Sequence, residues 1–281
     1  MDQVRALLAR YQLTPSKGLG QNLLVNEGVY GRIVEAAELT PSDAVYEIGP
    51  GLGTLTRRLA ERAGLVAAVE LDRKMIAVLQ SELAGYANVH LVTGDALDLD
   101  PATVLRAAGA DLSAGFKVVA NLPYYITSRA LRHLLAEGER PSLLVLMVQR
   151  EVADRLRAGP GAHSLLSLSV QVFGAVEQVC AVPASAFYPP PKVSSAVVRI
   201  RTYAQPLVPE ASLPAYFALL RAAFGQKRKQ LHNTLVANLG LPAATVQALL
   251  AEAQIAPDAR PQALPLAAWC ALTAAYVAQS A

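Results

Sequence analysis

Asn121, Leu122, Pro123 and Tyr124 stand in a row, and together they carry what is needed to activate a conjugated amine. The exocyclic amine of a base such as adenine is a poor nucleophile, because its lone pair is delocalised into the ring. A protein acting on it must pull the nitrogen toward tetrahedral geometry. The side-chain oxygen of Asn121 and the backbone carbonyl of Leu122 could accept the two N–H bonds and aim the lone pair at an electrophile. Pro123 fixes the local backbone angle, and the ring of Tyr124 offers a stacking surface for a base. A strong general base is not needed if the proton leaves after the transfer, and no metal is implied.

A second group is Glu47-Ile48-Gly49-Pro50-Gly51-Leu52-Gly53, which follows a strand-like run and opens a helical stretch at Thr54–Ala63. Glycines at alternate positions let the backbone turn tightly and approach a ligand where a β-carbon would clash. A dinucleotide fold is the obvious rival, but counting from Gly49 puts Thr54 where its third glycine should be. A phosphate-binding loop also fails, since no Gly-Lys-Ser/Thr follows. Glu-x-Gly-x-Gly-x-Gly in this setting resembles the S-adenosylmethionine loop of the Rossmann-like methyltransferases. On that resemblance Gly49, Gly51 and Gly53 cradle the cofactor. Glu70, ending the next strand-like run, accepts both ribose hydroxyls, and Asp95 in Thr93-Gly94-Asp95-Ala96 accepts the amine of the cofactor's adenine. An acid at a strand end is by itself more often a helix cap; the conjunction with the glycine loop favours a binding role.

These groups need a scaffold that brings strand ends together. Short β-branched runs alternate with amphipathic stretches between about residues 30 and 150, the pattern of parallel strands joined by helices. Strands are expected at Ala44–Gly49, Leu65–Glu70, Val89–Thr93, Phe116–Asn121 and Leu143–Val148, giving a doubly wound sheet. Leu166–Val179 and Val193–Arg201 read as a closing antiparallel pair around the proline-rich turn Pro183–Pro191. Beyond Thr202 the pattern is helical through Leu219–Leu239, Ala243–Ala253 and Leu266–Val277. The expected fold is therefore α/β, a Rossmann-like class I methyltransferase sheet with a smaller all-helical C-terminal domain. The boundary falls near residue 205, with a catalytic, S-adenosylmethionine-binding domain over 1–205 and a helical domain over 206–281.

Asn-Leu-Pro-Tyr is the narrower form of a tetrapeptide shared by amino-methyltransferases, and with it the chain resembles the small-subunit rRNA adenine dimethyltransferases over nearly its whole length. Lys17-Gly18-Leu19-Gly20-Gln21-Asn22-Leu23-Leu24 is similar to the N-terminal motif of that family, with Leu23 replacing the usual Phe. That exchange keeps an apolar wall and removes an aromatic face. By resemblance Asn22 and the backbone of Leu24 hold the methionine end of the cofactor. Phe187-Tyr188-Pro189-Pro190-Pro191-Lys192-Val193-Ser194-Ser195 resembles the loop of the family in which the aromatic residue, here Phe187, sandwiches the target adenine. The segment Met147 to Ala153 also matches; its charged residues could serve structure or RNA and are not assigned to catalysis. The resemblance implies a cytoplasmic monomer that dimethylates two adjacent adenosines in the 3′-terminal hairpin loop of small-subunit rRNA, within an immature ribosomal small subunit.

The net charge of +3 permits a nucleic-acid partner without requiring one. Its distribution says more: Lys227, Arg228 and Lys229 are consecutive. On a continuous helix, Phe224, Leu231 and Leu235 form an apolar stripe flanked by Arg221, Lys229 and His232. These five basic positions are the expected RNA contacts, weighed against an ordinary solvated face. His133 and His163 read as structural or surface histidines. Cys180 and Cys270 lie far apart without metal-ligand spacing and read as free, buried thiols. No apolar run reaches the roughly 20 residues that span a bilayer, and residues 1–10 lack the pattern of a secretory signal. Three rivals remain: a large-subunit rRNA adenine methyltransferase of the macrolide-resistance type, a ribosome-assembly factor whose methylation is secondary, and, more distantly, an NAD-binding oxidoreductase.

Overall fold

The computed structural model describes residues 3–15, 22–226 and 229–280. Lys17 to Gln21 of the N-terminal motif, and Lys227 and Arg228, lie outside the described residues. The strands are β1 (Leu23–Leu24), β2 (Ala44–Ile48), β3 (Leu65–Glu70), β4 (Val89–Thr93), β5 (Lys117–Asn121), β6 (Leu143–Gln149), β7 (Gly174–Val182), β8 (Phe187–Tyr188) and β9 (Ser195–Thr202). Among them run helices α1 (Gln3–Arg10), α2 (Glu27–Ala36), α3 (Thr54–Ala60), α4 (Arg73–Glu82), α5 (Pro101–Ala107), α6 (Thr127–Ala136), α7 (Arg150–Leu156) and α8 (Leu165–Gln171). After β9 come α9 (Leu213–Phe224), α10 (Leu231–Leu239), α11 (Ala243–Glu252) and α12 (Leu266–Ser280).

The chain divides into two compact units, residues 1–153 with 176–202, and residues 154–175 with 203–281. The change near residue 205 thus falls at 202/203, and residues 154–175, expected in the first domain, belong to the second unit.

Seven strands form one sheet in the order β4-β3-β2-β5-β6-β9-β7. β2 pairs in parallel with β3 and β5, β3 with β4, and β5 with β6, while β9 runs antiparallel to β6. β2 is buried at every position and β3 and β6 nearly so, as strands covered on both faces must be. Ile33 of α2 and Leu59 of α3 pack with Val45, Val66 and Val145 on one face. Val4, Leu7 and Leu8 of α1 pack with Met75, Val78 and Leu79 of α4. Side-chain caps start α2 and two of the crossover helices, α4 and α5: Asn26 accepts from Val29 N, Asp72 from Lys74 N and Asp100 from Thr103 N, satisfying N–H groups that the helix itself leaves unpaired.

Two sequence expectations need correction. Leu166–Val179 is not one strand: Ser164 and Ser167 form a reciprocal capping box that opens α8, and only from Gly174 does the chain extend as β7. A short apolar run does not distinguish a buried helix from a strand by periodicity, and here the cap decides. Leu219–Leu239 is not one helix either. α9 stops at Phe224, Gly225 and Gln226 turn, and α10 starts afresh after the extended Gln230. Asn238 Nδ2 closes the break by donating to the Ala222 carbonyl at 2.7 Å. Leu231 and Leu235 are buried and Phe224 stacks on Trp269, so the apolar stripe exists but is split between two helices.

The Tyr216 hydroxyl of α9 donates to the Leu168 carbonyl of α8 at 3.0 Å, and Tyr216 is fully buried. This bond ties segment 154–175 to the helices that follow β9. Tyr216→Phe keeps the ring and removes the donor, and should lower stability by about 1 kcal/mol. Chemical denaturation measures it, and an unchanged midpoint would show that the bond contributes nothing.

Candidate active site

The sheet order places its switch point between β2 and β5: the chain winds from β2 outward to β3 and β4, then returns to the other flank of β2 as β5. Ligands of open α/β sheets bind in the crevice at such a point, beyond the carboxyl ends of the strands. A cleft of about 160 Å³, partly open to solvent, lies there and is lined by the ends of β2, β3 and β5 and the loop after β4. It brings together Asn22, Gly49, Gly51, Glu70, Asp95, Asn121, Leu122, Pro123, Tyr124 and Phe187.

The glycine loop owes its shape to left-handed backbone: φ is +67° at Gly49, +59° at Gly51 and +76° at Gly53, values that L side chains rarely tolerate. Gly49 N donates to the Val69 carbonyl at 2.9 Å, locking the loop to β3. A β-carbon on Gly49 would meet no atom within 4 Å, so what it would occupy is the space of the cleft that Gly49 lines. Gly53 is the N-cap of α3 and is not among the cleft's lining residues; its role is to turn the loop into the helix.

Glu70 is 7% exposed. Its Oε2 accepts from Gly51 N at 3.2 Å and its Oε1 from Asp72 N at 2.9 Å, so each oxygen keeps lone-pair capacity for a further donor. Burial pushes its carboxyl above the usual carboxylate range, against the pull of those backbone N–H groups. Asp95 Oδ1 accepts from Leu97 N at 2.9 Å, a tight turn that leaves its second oxygen available at the cleft wall.

Asn121 ends β5 and lies opposite Met147 of β6. Its Nδ2 donates to the Asn22 carbonyl at 3.4 Å, which uses the donor end of the amide and leaves Oδ1 as the acceptor. Leu122 N donates to the Met147 carbonyl at 3.2 Å, fixing the Leu122 peptide, while its own carbonyl accepts no hydrogen bond among the described residues. Pro123 sits at φ −56°, ψ 133° and leads into a 3₁₀ turn at Tyr124–Ile126. The hydroxyls of Tyr124 and Ser195 share a hydrogen bond of 2.7 Å, and Ser195 is fully buried, so the Tyr124 ring is held against the sheet.

β1 and β8 form a two-residue antiparallel bridge, with Leu23 opposite Tyr188 and Leu24 opposite Phe187. This pairing joins the N-terminal motif to the proline-rich loop. Phe187 is 3% exposed and contributes to the cleft wall. Leu24 faces a smaller adjoining hollow with Glu47, Gly51 and Asn121, and its carbonyl accepts from the Tyr30 hydroxyl at 2.7 Å.

Of the basic positions, Arg221 is exposed on the last turn of α9 and Lys229 is exposed after the break. His232 is half-buried, with Nε2 at 3.3 Å from the Ala243 carbonyl. His133 bridges the Leu99 carbonyl and Glu137 and is structural. Cys180 and Cys270 are free but half-buried rather than buried. Among the described residues no group of three or more His, Cys, Asp or Glu converges as a metal site, and no helix is long and apolar enough to cross a membrane.

Sequence reasoning missed Leu71, Tyr125 and Arg129, all of which line the cleft. Tyr125 and Arg129 follow the tetrapeptide directly, and a helical projection from Tyr124 onward is the signal that could have found them. It also gave no role to Glu47. This side chain is 1% exposed, its Oε2 has no hydrogen-bond partner among the described residues, and burial, reinforced by Glu70, pushes its carboxyl up to about 8.

The chain matches the family model described as ribosomal RNA adenine dimethylase over residues 14–277. It is 42% identical over 276 residues to a protein of Dehalococcoides mccartyi named ribosomal RNA small subunit methyltransferase A, covering 98% of this chain and 93% of that one. Among solved structures, a dimethyladenosine transferase from Plasmodium falciparum superposes with a TM-score of 0.78 at 28% identity, over 92% of this chain and 98% of that one. The 23S rRNA methyltransferase ErmE superposes with a TM-score of 0.71 at 29% identity, over 90% and 99%.

Glu47 makes the ligand-free protein pH-sensitive. Its folded-state value near 8 lies above the ordinary 4.5, so between those limits the native state holds a proton that the unfolded chain has released. Stability therefore falls as pH rises through that window, by up to about 1.4 kcal/mol per pH unit from this group. Glu47→Gln removes the titration, and its stability should gain on the unaltered protein steadily from pH 5 to pH 8. Parallel stability curves for the two proteins would show that Glu47 is ionised in the fold.

Proposed function

The chain belongs to the ribosomal RNA adenine dimethylase family, and from that premise we propose that it transfers methyl groups from S-adenosylmethionine to the N6 amines of adenosines in small-subunit rRNA. The finer reading is two adjacent adenosines in the hairpin loop near the 3′ end, in an immature small subunit, acted on by a cytoplasmic monomer. One observation carries the chemistry: the Asn121 Oδ1 and the Leu122 carbonyl, two unspent acceptors, stand on the same cleft as the glycine loop, Glu70 and Asp95.

The cleft fits the cofactor on its own geometry. Gly49 leaves open space that any β-carbon would fill, Glu70 keeps acceptor capacity on both oxygens, and Asp95 keeps one oxygen for an amine. Glu70 would hold the ribose hydroxyls, Asp95 the adenine amine, and Asn22 with Leu24 the methionine end. When bound, S-adenosylmethionine supplies an electrophilic methyl group on a sulfonium. Asn121 and Leu122 accept the two N–H bonds of the target amine, drawing its lone pair out of conjugation and toward the methyl. Tyr124, braced by Ser195, stacks on the target base, with Phe187 in the wall.

Identity favours the small-subunit substrate: 42% to the relative named for that subunit, against 29% to the 23S enzyme. Incubating the protein with unmethylated small subunits and with naked large-subunit RNA, then mapping modified bases, separates the two. We further propose that Arg221, Lys227, Arg228, Lys229 and His232 contact RNA phosphates, with the exposure of Arg221 and Lys229 in support. His232, close to the Ala243 carbonyl, would contribute through its remaining edge.

Glu70→Ala removes the ribose acceptor and should weaken cofactor binding by about 1–3 kcal/mol; unchanged affinity in calorimetry would reject that role. Asn121→Ala should lose most turnover while RNA still binds. Asn121→Asp keeps an acceptor but adds a negative charge that favours the cationic ground state over the charge-dispersed transition state, so turnover should fall while cofactor affinity holds or tightens. Near-normal turnover of the alanine variant, with both ligands saturating, would reduce Asn121 to a strand end.

A further inference from the structure

We propose that Tyr125 and Arg129 form a flanking-nucleotide subsite at the rim of the cleft, with the Tyr125 ring stacking on the base beside the target adenine and Arg129 pairing with its phosphate. The inference rests on the rRNA reading above and adds the place where the strand runs past the active site.

Three observations converge on it. The 3₁₀ turn at Tyr124–Ile126 advances the chain by about one third of a turn per residue, so the two consecutive tyrosines cannot face the same way. Tyr124 is tied to Ser195, whereas Tyr125 is 62% exposed, more than any other large apolar or aromatic side chain among the described residues, and still lines the cleft. A ring left in water at the edge of a base-binding cleft is a platform for a second base, because every base presents a π-face.

Arg129 stands four residues beyond Tyr125, on the first turn of α6, and lines the same cleft. It is exposed and is the one cation among the described residues lining the cleft, which otherwise carries the carboxylates Glu70 and Asp95. An RNA strand bringing its phosphates to a cleft with two carboxylates meets repulsion unless a cation sits where the backbone passes. Arg129 supplies that charge, and its planar fork suits a phosphate better than a lysine would. The subsite is thus sequence-tolerant stacking plus one phosphate contact, placing the target base without reading it.

The test uses the full chain and a small-subunit RNA hairpin carrying 2-aminopurine beside the adenine pair, together with methylation of unmethylated small subunits. The unaltered protein and Tyr125→Phe should quench the probe, and Tyr125→Ala should not. Arg129→Gln should lower the slope of log K against log salt by about one. Both Tyr125→Ala and Arg129→Gln should raise KM about tenfold with kcat unchanged, the mark of binding shared by ground and transition states, and S-adenosylhomocysteine affinity by calorimetry should not move. Equal quenching by Tyr125→Ala, an unaltered salt slope for Arg129→Gln, or a fall in kcat with KM unchanged would overturn the subsite. Failure of the unaltered protein to methylate small subunits would overturn the underlying reading and the subsite with it, and that result is visible before any variant is compared.

Discussion

Ile48 and Ala120 are register partners on adjacent parallel strands, and beyond them the two chains part. β2 leads through α3 to β3 on one side, and β5 leads through α6 to β6 on the other. Several of the groups assigned to chemistry sit on the edges of the gap they leave, while Asp95 follows β4 and Asn22 and Phe187 come from the β1–β8 region. The glycine loop is the exit from β2, Asn121 to Tyr124 the exit from β5, and Glu70 the end of the neighbouring β3. Because the strands are pinned by their ladders and buried on both faces, these exits are rigid where loops are ordinarily mobile. The bond from Gly51 N to Glu70 Oε2 then ties two of them together, the glycine loop and the acid proposed to hold the ribose.

The electrostatics of the cleft select by sign. Glu47 and Glu70 are both buried, and burial is the largest cause raising each carboxyl, with the charge of Glu70 adding to the rise at Glu47 and that of Asp72 to the rise at Glu70. A poorly solvated pair of carboxyls is relieved by a cation and aggravated by an anion. That favours a sulfonium inside and, on the proposed reading, a polyanionic strand at the rim. The acceptors aimed at the amine add to this bias, since they present oxygen lone pairs and no charge, matching a nitrogen that gains positive character as it is methylated.

Much of this was legible in the sequence, and what was not shares a physical cause. The five parallel strands and the glycine loop declare themselves within a few residues, through β-branched runs and through backbone angles that only glycine adopts freely. α8 hid because Leu165–Gln171 is apolar at both periods, and only the Ser164–Ser167 cap settles it. The break at Gly225 hid because periodicity on either side stays apolar and the bond that closes it comes from Asn238, a residue read as lying on the same helix. The bridge between Leu24 and Phe187 pairs segments remote in sequence, and nothing local encodes such a pairing. Tyr125 and Arg129 were passed over because, although a helical projection from Tyr124 would have pointed to them, their exposure at the cleft appears only once the strands are assembled.

On the proposed reading, the acceptor pair at Asn121 and Leu122 would recognise an amine, not adenine. Cytosine and guanine also carry exocyclic amines whose two N–H bonds would satisfy it, so choice of base has to come from the rest of the cleft. Around the tetrapeptide the lining is apolar or aromatic, with Ile126, Phe187 and the Tyr124 ring, and the Tyr124 hydroxyl is already engaged by Ser195. Adenine is the amino base without a carbonyl oxygen. Cytosine or guanine placed there would bring its carbonyl against these three side chains, none of which has a free donor, and an acceptor stripped of water and left unpaired costs about 1–3 kcal/mol. On that reading discrimination would arise from what these side chains lack as much as from what Asn121 and Leu122 provide. A hydroxyl or amide introduced into that wall would weaken selection without touching either acceptor.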